Sequence, residues 1–345
     1  VSEAGGGKVI LPGDDSIYGK RYMATQINMK SNVEFVIESN AILWQSPRYE
    51  QYNYKDTTPI YGHESNIDNM MWCHACATVN YPLLYVANCE NVRITGGGTI
   101  RMMDNGVEEI DSAKFLGDPG MNVACNSIIH ICPTYFYLSK NIDVVDINIK
   151  RANGWHMANQ NCENIYYANV IESEIGCITS DGFSFSCAKD GYVERCMTYT
   201  SDDALVLSTK YNDDRGKWFH QNIEGDNSIQ NIKVRSSYLW GGFGVSFIPW
   251  GTGDSNLSNH IISDIDIQDC VLGGQKSVGV WADDPFYGYS KRNTYNNTEA
   301  DYTPIRDVYF NNNVYSKFST IGKYIKCCKY RKFSNYGQVF SYGSR

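Results

Sequence analysis

The chain is predicted to be all-β, a right-handed parallel β-helix, and three observations carry that prediction. First, a unit recurs, made of a short apolar strand, a turn bearing Asn or Asp, and a second strand of alternating β-branched residues. It occurs at 83–96, 135–149, 155–171, 181–199, 204–239, 244–272 and 278–315. Second, its second strands align as NVRI from 91, NIDV from 141, NIYY from 164, GYVE from 191, NIKV from 231, DIDI from 264 and RDVY from 306. The starts at 141, 164 and 191 are 23 and 27 residues apart, one solenoid coil each. Third, the composition holds 26 tyrosines and lacks the long Ala/Leu/Glu/Lys runs of helix bundles. A sandwich or propeller needs hairpin turns or a longer regular repeat, and neither is visible.

In order along the chain, 8–12 (KVILP) reads as a strand ended by the turn signal Pro12-Gly13. Segment 32–42 (NVEFVIESNAI) alternates and reads as two strands around a turn at 38–40. The aromatic, irregular stretch 43–76 has no period and is expected to be a loop or flap beside a cleft. The repeating units follow, with insertions near 211–228 and 283–303 that are expected to project as loops. Asn at the turns bonds its own backbone and tolerates left-handed geometry, which suits coil corners. We expect one catalytic β-helix domain over 1–345. The chain opens at VSEAGGGKVILPGD, inside what reads as a first coil, so a leader and an N-terminal cap are expected to precede it.

Twelve cysteines are not spaced like a small disulfide scaffold. Cys89 and Cys162 each stand two residues before a strand-opening Asn, and Cys196 and Cys270 close second strands. That recurrence predicts thiols stacked inside the coils as small apolar groups. Cys73-His74-Ala75-Cys76 has a metal-like spacing, but no second ligand pair follows, so no metal site is assigned. The net charge of −8 argues against nucleic acid as a partner. No apolar run approaches the roughly 20 residues of a bilayer span, so no membrane partner is expected.

Chemistry concentrates in 179–210, TSDGFSFSCAKDGYVERCMTYTSDDALVLSTK. Ser180-Asp181-Gly182-Phe183 and Ser201-Asp202-Asp203-Ala204 each open with Ser-Asp and run into an apolar alternating strand. Asp181 and Asp202 are 21 residues apart, so the segments start the same strand on successive coils. Strands in such a stack lie about 4.8 Å apart. Carboxyls offset across one coil can then reach the roughly 6.5–9.5 Å separation of an inverting glycosidase. A lone aspartate at a strand start commonly only caps a turn, but three gathered on one patch cannot all ionise cheaply.

These segments carry a resemblance. KVILPG, YPLLYVANCENVRITGGGTI, RANGWHMANQNCENIYYANV, TSDGF and SDDALVL together resemble glycoside hydrolase family 28, the polygalacturonase-like enzymes of the pectin-lyase superfamily, over most of the chain to about Leu272. TSDGF is similar to the family's Asn-Thr-Asp-Gly motif, and SDDALVL to its Gly-Asp-Asp-Cys motif. The resemblance implies a secreted or extracytoplasmic inverting hydrolase of α-linked polysaccharide or oligosaccharide, with no cofactor. It gives Asp202 the role of general acid, and Asp181 and Asp203 that of holding and deprotonating the attacking water.

Two family motifs are altered. Gly-His-Gly appears as Gly242-Phe243-Gly244, and Arg-Ile-Lys aligns with Val280-Trp281-Ala282, followed by Asp283-Asp284. The second change removes the cations that hold a uronate carboxylate, so a neutral sugar stacked on Trp281, with Asp283 or Asp284 bonding its hydroxyls, is expected at the cleavage site. His156 and Trp155, one coil before Asp181, together with Phe243 and Lys210, complete the expected substrate contacts. The alternatives are a pectin-cleaving polygalacturonase, a β-helical polysaccharide lyase whose aspartates bind calcium, and a non-catalytic glycan-binding solenoid.

Overall fold

The computed structural model describes residues 1–46, 82–102, 132–152, 155–174, 180–209, 226, 228–248, 261–280, 305–316 and 333–336. Every named strand pairing is parallel, and the strands stack into three faces of one coil. The first face holds Leu84–Ala87, Thr134–Tyr137, Met157–Gln160, Phe183–Ser186 and Leu205–Ser208. The second is a ten-stranded sheet that begins at Gly7–Leu11 and Val33–Ile37 and ends at Phe333–Tyr336. The third carries Lys20–Ala24, Ala41–Gln45, Thr99–Arg101, Asn148–Lys150, Ile171–Ser173 and Met197–Tyr199. Such stacking of parallel strands is the right-handed β-helix that the repeat predicted.

Inward positions explain why the alternating segments fold this way. Ile142, Ile165, Ile232, Ile265 and Val308 occupy one register column of the second face and are buried. Full burial of each such side chain is worth about 1.5–3 kcal/mol. Gly191 interrupts the column, and the Phe185 ring reaches across from the first face to within 3.1 Å of where its Cβ would stand. The corner into the second face is a ladder of asparagines in left-handed geometry: Asn32, Asn91, Asn141 and Asn164 have φ between 54° and 60°. Each amide donates to the next carbonyl oxygen along the stack, Asn91 to Asn32 and Asn141 to Asn91 at 2.8 Å, Asn164 to Asn141 at 3.0 Å. The six described cysteines are buried, and Cys89, Cys162, Cys196 and Cys270 lie in the core, as their spacing predicted.

Three expectations change. Each coil has a third strand, such as Ile171–Ser173, that the two-strand unit omitted because three residues show no period. The second-strand alignment slips by one at two coils: Asp190 and Asp307, not Gly191 and Arg306, share the Asn164 position. The loop placed from 43 starts later, because Ala41–Gln45 is a strand with Leu43 and Gln45 buried. The rest of 43–76, the 283–303 insertion and the Cys73–Cys76 stretch lie outside the described residues, as does 211–228 apart from 226 and 228.

Candidate active site

The aspartates stand where the third face turns into the first. Asp181 precedes the strand Phe183–Ser186, and Asp202 and Asp203 precede Leu205–Ser208 one coil later. Register pairs Phe183 with Leu205, so Asp181 stacks on Asp203, and Asp202 stands one residue outside that column. The Ser-Asp repeat thus overlays the two segments one residue out of step. In the next coil the corner closes into a continuous strand, Tyr238–Ile248, which pairs with Met197–Tyr199 at its start and Leu205–Ser208 at its end. Gly241 makes this close approach possible, since a Cβ there would stand 2.1 Å from the Asp202 carbonyl oxygen.

Backbone donors tie the carboxyls together. The Asp203 N–H donates to Asp181 Oδ1 at 3.1 Å, and the Phe243 N–H donates to Asp203 Oδ1 at 3.1 Å. Asp181 and Asp203 are 7% and 4% exposed, while Asp202 is more open. One oxygen from each lies within 4.8 Å of the others. That is tighter than the expected acid–base gap, so spacing alone does not argue for inversion. Burial, reinforced by the charges of Asp202 and Asp203, holds the Asp181 carboxyl well above the usual range. Burial also lifts Asp202 to about 6, against the opposing pull of the Asp203 N–H. The cluster therefore keeps a proton near neutral pH, and its titration belongs to the group rather than to one residue. The three oxygens also lie close enough together to meet a divalent cation, which would take the carboxyls in their ionised form.

Among the expected substrate contacts, Trp155 is partly buried in the register position of Asp181, one coil before it. His156 is wholly buried and meets no sugar in this conformation. Its backbone N–H and ring Nδ1 both reach the Asp181 carbonyl oxygen, at 2.8 and 2.9 Å. Burial lowers its imidazole to about 4, so it is neutral and donates from Nδ1. Phe243 serves the cluster through its amide, while its ring lies across Gly279 and under the Lys276 Nζ, 4.9 Å from the ring centre. Lys210, Trp281, Asp283 and Asp284 lie outside the described residues. Sequence reasoning missed Lys276, which register places in the column of Asp203 and Phe243. It also missed Glu172, buried beneath the corner. No signal in the sequence marked Glu172 as inward, because a strand of three residues shows no period.

No protein-family model matches the chain, and no curated protein sequence does. Solved structures do. The exopolygalacturonase of Thermotoga maritima aligns over 91% of this chain and 74% of its own, at 18% identity and a TM-score of 0.55. The polygalacturonase of Erwinia carotovora ssp. carotovora covers 89% of this chain and 69% of its own, at 12% identity and a TM-score of 0.58. The fold is shared. An endo-xylogalacturonan hydrolase from Aspergillus tubingensis aligns over 90% of this chain and 78% of its own, with 12% identity and a TM-score of 0.52. The neighbours are thus polygalacturonases and related β-helix hydrolases, and at these identities the likeness is one of architecture.

Proposed function

We propose that the chain is a glycoside hydrolase that cleaves α-linked polysaccharide or oligosaccharide with inversion, at the corner held by Asp181, Asp202 and Asp203. The observation that carries this reading is the stacked aspartate cluster itself, buried enough to keep a proton and bound by amides of two adjacent coils. Asp202, the most open of the three, protonates the oxygen of the leaving sugar. Asp181 and Asp203 hold a water between them; Asp203 takes its proton as it attacks the anomeric carbon, which balances the proton that Asp202 gives up. Each spends one oxygen on a backbone N–H, which suits holding a water better than bonding a sugar carbon. Trp155 and Phe243 flank the cluster on the coils before and after, and Trp281, Asp283, Asp284 and Lys210 are assigned to the substrate from the sequence alone. No cofactor enters the reaction, and the enzyme is proposed to act outside the cytoplasm.

The sugar at the cleaved bond is proposed to be neutral, because Val280-Trp281-Ala282 replaces the cations that would pair a uronate, and an unpaired buried carboxylate is costly. One observation favours a second reading. Lys276, two coils along the column from Asp203 and so roughly 10 Å away by strand spacing, offers a cation to an acidic sugar. Initial rates on polygalacturonate and on neutral α-galactans and α-glucans decide between them. Faster release of reducing ends from a neutral polymer supports the first reading; polygalacturonate as the best substrate, lost in Lys276→Ala, establishes the second. Ultraviolet-absorbing products would instead mean a lyase.

A further inference from the structure

We infer that Glu172 is a positioning residue for Asp181, holding the catalytic corner from inside the coil; the inference rests on the hydrolase reading above. Register places Ile100, Ile149, Glu172, Thr198, Leu239 and Leu272 in one inward column of the third face. From Ile100 to Leu272 the column is aliphatic except at Glu172 and Thr198, in the two coils that carry the aspartates. An aliphatic residue would serve stability better, since a buried carboxyl loses its hydration. Glu172 is wholly buried. Its Oε2 accepts from Thr198 Oγ1 at 3.0 Å, and its Oε1 has no hydrogen-bond partner among the described residues.

This pair abuts the residue that follows Asp181. A Cβ on Gly182 would stand 2.7 Å from Glu172 Oε2 and 2.4 Å from Thr198 Cγ2. The peptide joining Asp181 to Gly182 is therefore held from three sides. The coil before it donates from His156 to the Asp181 carbonyl, and the coil after it accepts the Gly182 N–H at the Asp203 carbonyl, 2.8 Å away. Glu172 and Thr198 fill the third side from the core. With the peptide fixed, Asp181 Oδ1 stays on the Asp203 N–H.

Glu172 does this as a neutral acid. The titratable groups facing it are Asp181 from the first face, Tyr167 from the second and Cys196 from the corner, each of which ionises only to an anion. No described cation reaches it, and burial raises its carboxyl well above the usual range.

Steady-state kinetics and crystal structures of Glu172→Leu and Glu172→Gln test the assignment in the full chain. Leu removes the acceptor of Thr198 and is expected to cost about 10- to 100-fold in kcat with KM nearly unchanged, as small misplacements of catalytic groups do. Its structure should show the bond from the Asp203 N–H to Asp181 Oδ1 broken. Gln, neutral and of the same shape, should rescue most of the loss. If Leu fails to fold, Thr198→Val asks the same question with a smaller expected loss. Full kcat in Leu, equal losses in Leu and Gln, or an intact bond in the Leu structure would overturn the assignment. Should the wild type cleave no polysaccharide, the hydrolase reading fails, while the crystal structures still decide whether Glu172 sets the position of Asp181.

Discussion

Asp202 differs from its two neighbours in what its oxygens do. Asp181 and Asp203 each accept a backbone N–H from the following coil, whereas Asp202 stands outside that column, more open, with a carboxyl raised to about 6 by burial. Asp202→Asn is expected to lower kcat by about 10²–10⁴-fold on natural glycans and to recover in part on substrates whose leaving group needs no protonation. Asp181→Asn and Asp203→Asn should show no such recovery; equal recovery in all three would reassign the acid. Because the acid works only while protonated, the alkaline limb of kcat is expected to fall as pH rises through about 6. A limb set several units higher would remove Asp202 from that role. Asn keeps an acceptor oxygen and cannot ionise, which burial disfavours at this position, so Asp181→Asn is expected to hold or raise Tm at neutral pH rather than lower it.

Coil corners and strand starts set the register on which those side chains depend. The ladder Asn32–Asn91–Asn141–Asn164 gives each rung a left-handed backbone and one amide bond along the stack. Asn141→Ala loses both advantages and is expected to cost about 1–3 kcal/mol. Asn141→Gly keeps the backbone geometry and should cost less, measured by denaturant unfolding. Equal costs would mean that the ladder bonds alone matter. The same elements explain what the sequence left legible. Asn-led, alternating second strands showed the coil directly, because corner geometry and an inward stripe both impose a pattern. Third strands of three residues are too short to show one. The Ser-Asp repeat overlaid Asp181 on Asp202, whereas strand pairing stacks Asp181 on Asp203, because one extra residue at the corner leaves the local motif intact while shifting the register. His156 looked like a surface contact beside a Trp; its bond to the Asp181 carbonyl holds it buried instead.

At the scale of the whole molecule, opposed proton linkages shape stability. His156 has a depressed folded value of about 4, so its contribution is present above the unfolded value of 6.5 and is lost as pH falls toward 4. Glu172 and Asp181 have raised folded values, so theirs is present below the ordinary carboxyl range and is lost as pH rises. Above pH 6.5 only the carboxyl effect continues, and Tm is expected to decline toward alkaline pH; a flat or rising Tm there would contradict the buried, neutral carboxyls. The solenoid as a whole was readable from repeat and composition, but the cation at Lys276 was not, because its place depends on how the continuous strand Tyr238–Ile248 pairs with Val271–Val280. The cleavage chemistry is tested most directly by proton NMR of a polysaccharide digest followed from its first minutes. The account predicts new reducing-end anomeric signals, first appearing in the configuration opposite to the substrate's, and their loss in Asp202→Asn. Vinyl protons of an unsaturated sugar, a first product that keeps the substrate's configuration, or an undiminished rate in Asp202→Asn would contradict it.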